Sequence, residues 1–207
     1  MKVGLALGSG GAKGIAHIAY LEVLDQLCIR TSELAGSSMG ALIGAFYAAG
    51  IPARRIRDIA VGIGLRDLPK IIDLSGPRDS GIIKGRKIED WLGEMLPVRR
   101  FEQLRMPLRI VATDFWRKEQ VVFDSGELIP AIRASISIPG VFEPYTIGSR
   151  LLVDGGVANP VPFDLLRDSD FIVGIDVSGG ADPLGERDPG RVEVLLGAYA
   201  IMGRIIM

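Results

Sequence analysis

Residues 36 to 40 read GSSMG. Ser38 thus stands between Gly36 and Gly40 in the G-x-S-x-G pattern of a nucleophile elbow, whose chemistry is attack of a serine oxygen on an acyl carbonyl. A serine hydroxyl is a weak nucleophile until a neighbouring base takes its proton. The chain carries a single histidine, His17, and it precedes the serine. Three possibilities follow: the pattern is fortuitous, His17 is the base, or the base is not a histidine.

The glycines have a physical reason. A strand that turns sharply into a helix forces the serine into strained backbone, and its neighbours two residues away must be tiny to avoid clashes. The same turn sets Ser38 at a helix N-terminus, where the dipole favours an alkoxide-like oxygen. The context fits, with apolar residues before the motif and a helical pattern after it. In a chain with 27 glycines, a chance match over five positions is the alternative.

A second glycine cluster, GSGGAKG over Gly8–Gly14, follows the first strand-like run. It departs from a P-loop because Lys13 is followed by Gly14 and not by Ser or Thr. Gly8, Gly10 and Gly14 form a relaxed G-x-G-x-x-x-G, related to the dinucleotide fingerprint, with Glu33 about 20 residues on. The third reading is an oxyanion hole, because adjacent glycines such as Gly10 and Gly11 expose backbone N–H groups that converge on developing negative charge. The loop alone leaves these open. It reads as an oxyanion hole if it lies beside Ser38, where consecutive parallel strands would bring it.

For the base, His17 lies one turn beyond the loop and reads as a packed or capping side chain. No histidine follows Ser38, so the Ser–acid–His order of the α/β-hydrolases fails. Carboxylates remain. Asp154 closes a short apolar run, LLVD, and is followed by Gly155 and Gly156, which let the backbone turn sharply and leave the carboxylate unshielded. A plain Asp-Gly turn is the alternative. Asp114, after Ile110–Ala112, and Asp176, in GIDVS, are competitors on comparable strands. An aspartate near its ordinary pKa of ~4 is a weaker base than a histidine near ~6.5.

These residues need a frame. Strands are expected at Val3–Leu7, Leu34–Ala35, Leu108–Ala112, Gln120–Phe123 and Leu151–Val153, with a buried strand at Phe171–Val177. Helical spacing runs over Ile15–Cys28, Met39–Ala49, Lys84–Leu96, Glu127–Ile136 and Val192–Ile206, and Pro52 opens a further helix. Pro69–Lys84 reads as irregular. The apolar, glycine-bearing stretch Ile59–Leu74 reads as a flap or as a packed helix. Strands alternating with helices imply an α/β fold, a three-layer α/β/α sandwich around a mostly parallel central sheet.

With 207 residues and 48% hydrophobic content the chain reads as one domain over 1–207 with a substantial core. A net charge of −1 provides no field for nucleic acid, and no such partner is expected. One cysteine, Cys28, precludes an intrachain disulfide and reads as a buried helix residue; with a single histidine beside it, no metal site is expected. The N-terminus is too short and glycine-broken for a signal peptide, and no apolar run spans a bilayer, so the chain is expected to be cytoplasmic. The C-terminal segment LLGAYAIMGRIIM reads as a core helix, with a continuing chain, a partner or a membrane as alternatives.

In order along the chain, GSGGAKG, GSSMG and DGG together resemble the signatures of the patatin-like phospholipase family. VATDF (111–115), IRASISIPGVFEP (132–144) and DGGVANPVP (154–162) are similar to further segments of that family, so the resemblance runs from residue 1 to about 178. It implies a serine lipid acyl hydrolase working with a Ser–Asp dyad, Ser38 as nucleophile and Asp154 as proton acceptor. It implies Gly10 and Gly11 as oxyanion donors with Ser9 adjacent, Lys13 bracing the loop, Gly36, Gly40, Gly155 and Gly156 as supporting glycines, and a structural His17. No cofactor is implied; the implied partner is a lipid or acyl-ester substrate, with peripheral contact at a membrane or micelle surface as a further expectation. Against this stand a Rossmann-type nucleotide binder and a weakly catalytic lipid-binding regulator on the same fold.

Overall fold

The computed structural model describes residues 2–64, 66–76, 80–179 and 190–206. The strands are β1 (Val3–Leu7), β2 (Thr31–Ser37), β3 (Leu108–Asp114), β4 (Glu119–Phe123), β5 (Tyr145–Ile147), β6 (Arg150–Asp154) and β7 (Phe171–Ile175). The helices are α1 (His17–Gln26), α2 (Met39–Ala48), α3 (Ala53–Gly62), α4 (Leu68–Ile71), α5 (Arg86–Met95), α6 (Leu128–Ser135) and α7 (Arg191–Ile206). Ile15 falls in a 3-10 turn, Gly11–Ala16, so the glycine loop tightens before α1 begins.

The strands form one sheet in the order β5-β6-β3-β2-β1-β7, with β4 also paired to β3. The centre is parallel, β3-β2-β1-β7, as the alternation of strands and helices implied. The outer pairings of β3 with β4, β3 with β6 and β5 with β6 are antiparallel. Side chains alternate between the sheet's faces. Leu5, Leu7, Leu34 and Ile110 enter the main core with residues of α1, α2, α3, α5 and α6. Ala6, Ala35 and Val111 point the other way, against Val161, Leu165 and Leu166.

One feature of the pairing positions the site. β4 covers one edge of β3 over Ile110–Asp114, so β2 and β6 share the opposite edge. β2 runs parallel to β3 and ends with Ser37 opposite Val111; β6 runs antiparallel and ends with Asp154 opposite Ala112. The two strands therefore meet end to end, one register position apart. The residue that follows β2 is Ser38, and the residue that ends β6 is Asp154.

Five expectations change or narrow. Phe171, Ile172 and Val173 are exposed and only Ile175 of β7 is buried, because β7 borders the sheet and pairs with β1 alone among the described residues. Cys28 is exposed with φ 54°, since α1 ends at Gln26 and the chain reverses there into β2. Among the described side chains of α7 the core-helix expectation is not met: Val194, Ile201, Met202 and Ile205 face outward. Within Ile59–Leu74 the helical alternative holds for the end of α3 and for α4, while Val61 and Leu74 are strongly exposed; residue 65 lies outside the described residues. Pro69–Lys84 carries the end of α4 and an isolated bridge between Leu74 and Ile83, with residues 77–79 outside the described ones. No helix among the described residues is long and apolar enough to cross a membrane.

Candidate active site

Ser38 caps α2 with φ 56° and ψ −123°, a left-handed conformation that costs a non-glycine residue roughly 1–3 kcal/mol. The surroundings enforce it. A Cβ at Gly40 would collide with the carbonyl of Leu7, and one at Gly36 would lie 2.6 Å from Ala41 Cα. α2 therefore begins in direct contact with the end of β1. The Ser38 amide donates to Ser135 Oγ at 2.9 Å, and the Asp154 amide donates to the Ser137 carbonyl at 2.9 Å. The last turn of α6 and the residues after it thus hold both strand ends. Thr113 Oγ1 adds a hydrogen bond to the Asp154 carbonyl at 2.9 Å.

Ser38 Oγ donates to Asp154 Oδ2 at 2.5 Å. Asp154 Oδ1 accepts from the Gly156 amide at 2.8 Å and from the Tyr199 hydroxyl at 2.7 Å. Asp154 is fully buried and Ser38 nearly so. The expectation of an unshielded carboxylate is corrected: a Cβ at Gly155 would collide with the Val111 carbonyl, and one at Gly156 would stand 2.5 Å from the Tyr199 hydroxyl. The glycines make room for protein, not for solvent. Burial pushes the Asp154 carboxyl up to about 6, against hydrogen bonds from Ser38, Tyr199 and Gly156 that favour the anion. That value lies near a histidine's and well above the ordinary aspartate range.

Above the pair lies a cavity of about 500 Å³ lined by Ser38, by Ser9, Gly10, Gly11 and Lys13 of the glycine loop, and by residues of α7. The loop is tied down at several points. The Gly8 amide donates to the Ile175 carbonyl at 3.0 Å, the Ser9 amide to the Pro160 carbonyl at 2.8 Å, and Lys13 Nζ to the Ser178 carbonyl at 3.2 Å. Gly11 has φ 52°, which glycine adopts without penalty.

The competing acids are engaged elsewhere. Asp114 accepts from the amides of Trp116 and Arg117 and closes the β3–β4 turn. Asp176 is exposed beside the cavity and accepts from the Ser178 amide at 2.8 Å. His17 is fully buried and donates Nε2–H to the Gly8 carbonyl at 2.8 Å, while burial lowers its pKa despite that bond and the nearby Asp176. It pins the glycine loop and does not meet Ser38 among the hydrogen bonds of the described residues. His17→Gln is expected to lose about 1–3 kcal/mol of stability and to keep more than about a third of any ester turnover. Thermal denaturation and an ester assay check this; a loss as deep as that of Ser38→Ala in folded protein would give His17 the role of base.

Glu33, the acid of the dinucleotide reading, has no oxygen left for a ribose. It pairs with Arg109 Nη1 at 2.5 Å and accepts from the Asp168 amide at 2.7 Å and Ser169 Oγ at 2.8 Å. Burial pushes its carboxyl up, and these hydrogen bonds outweigh it and hold the carboxyl below the usual range. Sequence reasoning did not find Ser135, Ser137 or Tyr199. The first two lie in IRASISIPGVFEP, whose serines gave the only signal; a tyrosine within an apolar helix gave none.

A family model described as "Patatin-like phospholipase" matches residues 5–167. An uncharacterized NTE family protein of Mycobacterium bovis is 37% identical over 193 residues, 91% of this chain and 52% of its own length. Patatin-like phospholipase domain-containing protein 6 of Homo sapiens is 30% identical over 183 residues, 84% of this chain and 13% of its own. The chain thus spans about half of the mycobacterial relative and a small part of the human one. The solved structure of VipD from Legionella pneumophila shares the fold, with a TM-score of 0.62 at 14% identity, over 82% of this chain and 48% of that one. The chain belongs to the patatin-like phospholipase family.

Proposed function

We propose that the protein is a lipid acyl hydrolase in which Ser38 attacks the ester carbonyl and Asp154 is its base. The observation that carries this reading is the 2.5 Å hydrogen bond from Ser38 Oγ to Asp154 Oδ2 at a strained elbow facing a cavity. As Oγ bonds to the carbonyl carbon, its proton passes to Oδ2, and the carbonyl oxygen becomes an oxyanion. The amides of Gly10 and Gly11 are its donors, each contributing roughly 3 kcal/mol. Asp154 returns the proton to the departing alcohol. Water then repeats the sequence on the acyl-enzyme and releases the fatty acid. A base near pKa 6 is suited to proton transfer at neutral pH.

For the start of the acyl chain we propose an apolar space beside the elbow. Met39, next after Ser38, lines a second cavity of about 130 Å³ together with Ile18, Phe46, Ile56 and Trp91. Ile59, Ala60 and Ile63, from the stretch read as a flap, close its rim. With Val61 exposed on the same helix, this rim is the surface we propose to meet a membrane or micelle. Turnover is therefore expected to rise at least about fivefold when an ester passes from monomer to micelle. Equal rates on either side of the critical micelle concentration would rule out this rim as an interfacial surface. The function itself is tested by fatty-acid release from a panel of phospholipid and neutral esters by wild type and Ser38→Ala. Liposome binding without release would identify the lipid-binding regulator instead.

A further inference from the structure

The Ser–Asp pair leaves one hydrogen bond unexplained. Tyr199 lies on α7, 45 residues beyond Asp154 in sequence, and its hydroxyl donates to Asp154 Oδ1 at 2.7 Å. Oδ1 is the oxygen turned away from Ser38, which donates to Oδ2. The Gly156 amide is the other donor to Oδ1, at 2.8 Å. The seat is built for the hydroxyl: a Cβ at Gly156 would lie 2.5 Å from it. Around Tyr199, Gly197, Ala200 and Gly203 bring α7 to the same cavity as Ser38.

We propose that Tyr199 is a positioning residue for the base, fixing the Asp154 carboxylate through Oδ1 so that Oδ2 faces Ser38. The inference rests on the dyad reading above and extends it to a Ser–Asp–Tyr array. A carboxylate held by a single amide on its far oxygen is freer to rotate about its Cβ–Cγ bond and less favoured as an anion. The phenol is a dependable donor. Burial and the adjacent Asp154 charge push its pKa above the ordinary tyrosine range, so it stays protonated at every working pH.

Among the described residues, no charged side chain competes for the carboxylate. From β3, Thr113 meets only the backbone carbonyl of Asp154, and Asp114 is taken up by its own turn. From α6 and its last turn, Ser135 and Ser137 meet backbone amides, and Arg133 is spent on Ser137 Oγ and the carbonyls of Lys84 and Glu143. From β5, Tyr145 lies against the Arg133 guanidinium. Lys13 and Asp176, which line the cavity, are both engaged with Ser178. Among the described residues, the carboxylate is therefore governed by three neutral donors: Ser38, Gly156 and Tyr199.

The test is Tyr199→Phe, which keeps the ring and removes the hydroxyl. A hydrogen bond to a charged group corresponds to about one unit of pKa or slightly more. The acid limb of kcat on a soluble ester is expected to move up by about that amount. Turnover then falls about tenfold near pH 5 and stays within about threefold near pH 8.5. A profile that superimposes on wild type overturns the proposal, and so does a loss of equal depth at every pH, which marks a merely structural role. In parallel, the Asp154 carboxyl carbon is titrated by ¹³C NMR in aspartate-labelled protein, assigned with Asp154→Asn. Its midpoint is expected to rise by about one unit in Tyr199→Phe, and an unchanged midpoint overturns the proposal whether or not any ester is hydrolysed. A shifted midpoint in a protein whose wild type releases no acid retains the Tyr199 contact and rejects the hydrolase reading.

Discussion

Ser38→Ala is expected to abolish ester hydrolysis, leaving below about a thousandth of wild-type turnover, while the protein stays folded. Removal of a nucleophile that acts as a unit with its base costs far more than an ordinary contact. Folding should survive because the elbow is set by its surroundings: the Leu7 carbonyl against Gly40, and Ser135 Oγ on the residue 38 amide. Asp154 keeps two donors, Gly156 and Tyr199. Steady-state assay beside circular dichroism checks this. More than a tenth of wild-type turnover in the mutant would mean that Ser38 is not the nucleophile.

Asp154→Asn is expected to be nearly as inactive and, unusually for a buried substitution, more heat-stable than wild type at neutral pH. An asparagine can satisfy all three neighbours. Its carbonyl oxygen accepts from Gly156 and Tyr199 in place of Oδ1, and its amide donates to Ser38 Oγ, whose hydrogen rotates away. The geometry is retained, but the group that took the Ser38 proton is gone. The stability claim follows from the sign of the pKa shift. Burial raises the folded carboxyl from 3.8 to about 6, so the folded state favours the protonated form. That contribution is fully present below about pH 4 and is lost as pH rises through about 6. Above it, wild type carries a buried charge that costs about 3 kcal/mol, and asparagine removes it. Melting curves against pH should therefore show the two proteins diverging between about pH 4 and 6 and running parallel above. Asp114→Asn and Asp176→Asn should lose activity only as far as they lose stability. Deep inactivation by either, or full activity in Asp154→Asn, would place the base elsewhere.

On the proposed mechanism, the same shift sets the pH dependence of the reaction. A base must be ionised to act, so kcat should rise with pH through about 6 and not through the ordinary aspartate value near 4. The glycines after Asp154 pointed to the residue, but not to its strength. The Gly156 amide donates to the carboxylate and favours the anion. Burial outweighs it, and burial depends on α7 and β6 packing together, which no local pattern reveals.

Elsewhere the division is similar. Short-range chemistry was legible: the small residues that permit the elbow, the glycine loop after an apolar strand, and the apolar runs of β1 and β3. What stayed hidden is non-local. β2 begins at Thr31, three residues before its apolar part, because Glu33 is neutralised by Arg109 and Ser169 from distant segments. β7 looks like a buried strand because its residues are apolar, yet its place at the sheet's border leaves them exposed. The end-to-end meeting of β2 and β6 rests on an antiparallel pairing to β3, and hydrophobic periodicity does not distinguish parallel from antiparallel partners. Tyr199 reaches Asp154 only once α7 is folded against the cavity.

The central claim, that Ser38 is a nucleophile activated by Asp154, is tested most directly by a fluorophosphonate probe followed by mass mapping of the labelled peptide. The account predicts a single covalent adduct on Ser38 in wild type, none in Ser38→Ala, and labelling slowed at least about a hundredfold in Asp154→Asn. An adduct on another residue, undiminished labelling of Ser38→Ala, or labelling of Asp154→Asn at the wild-type rate would contradict it.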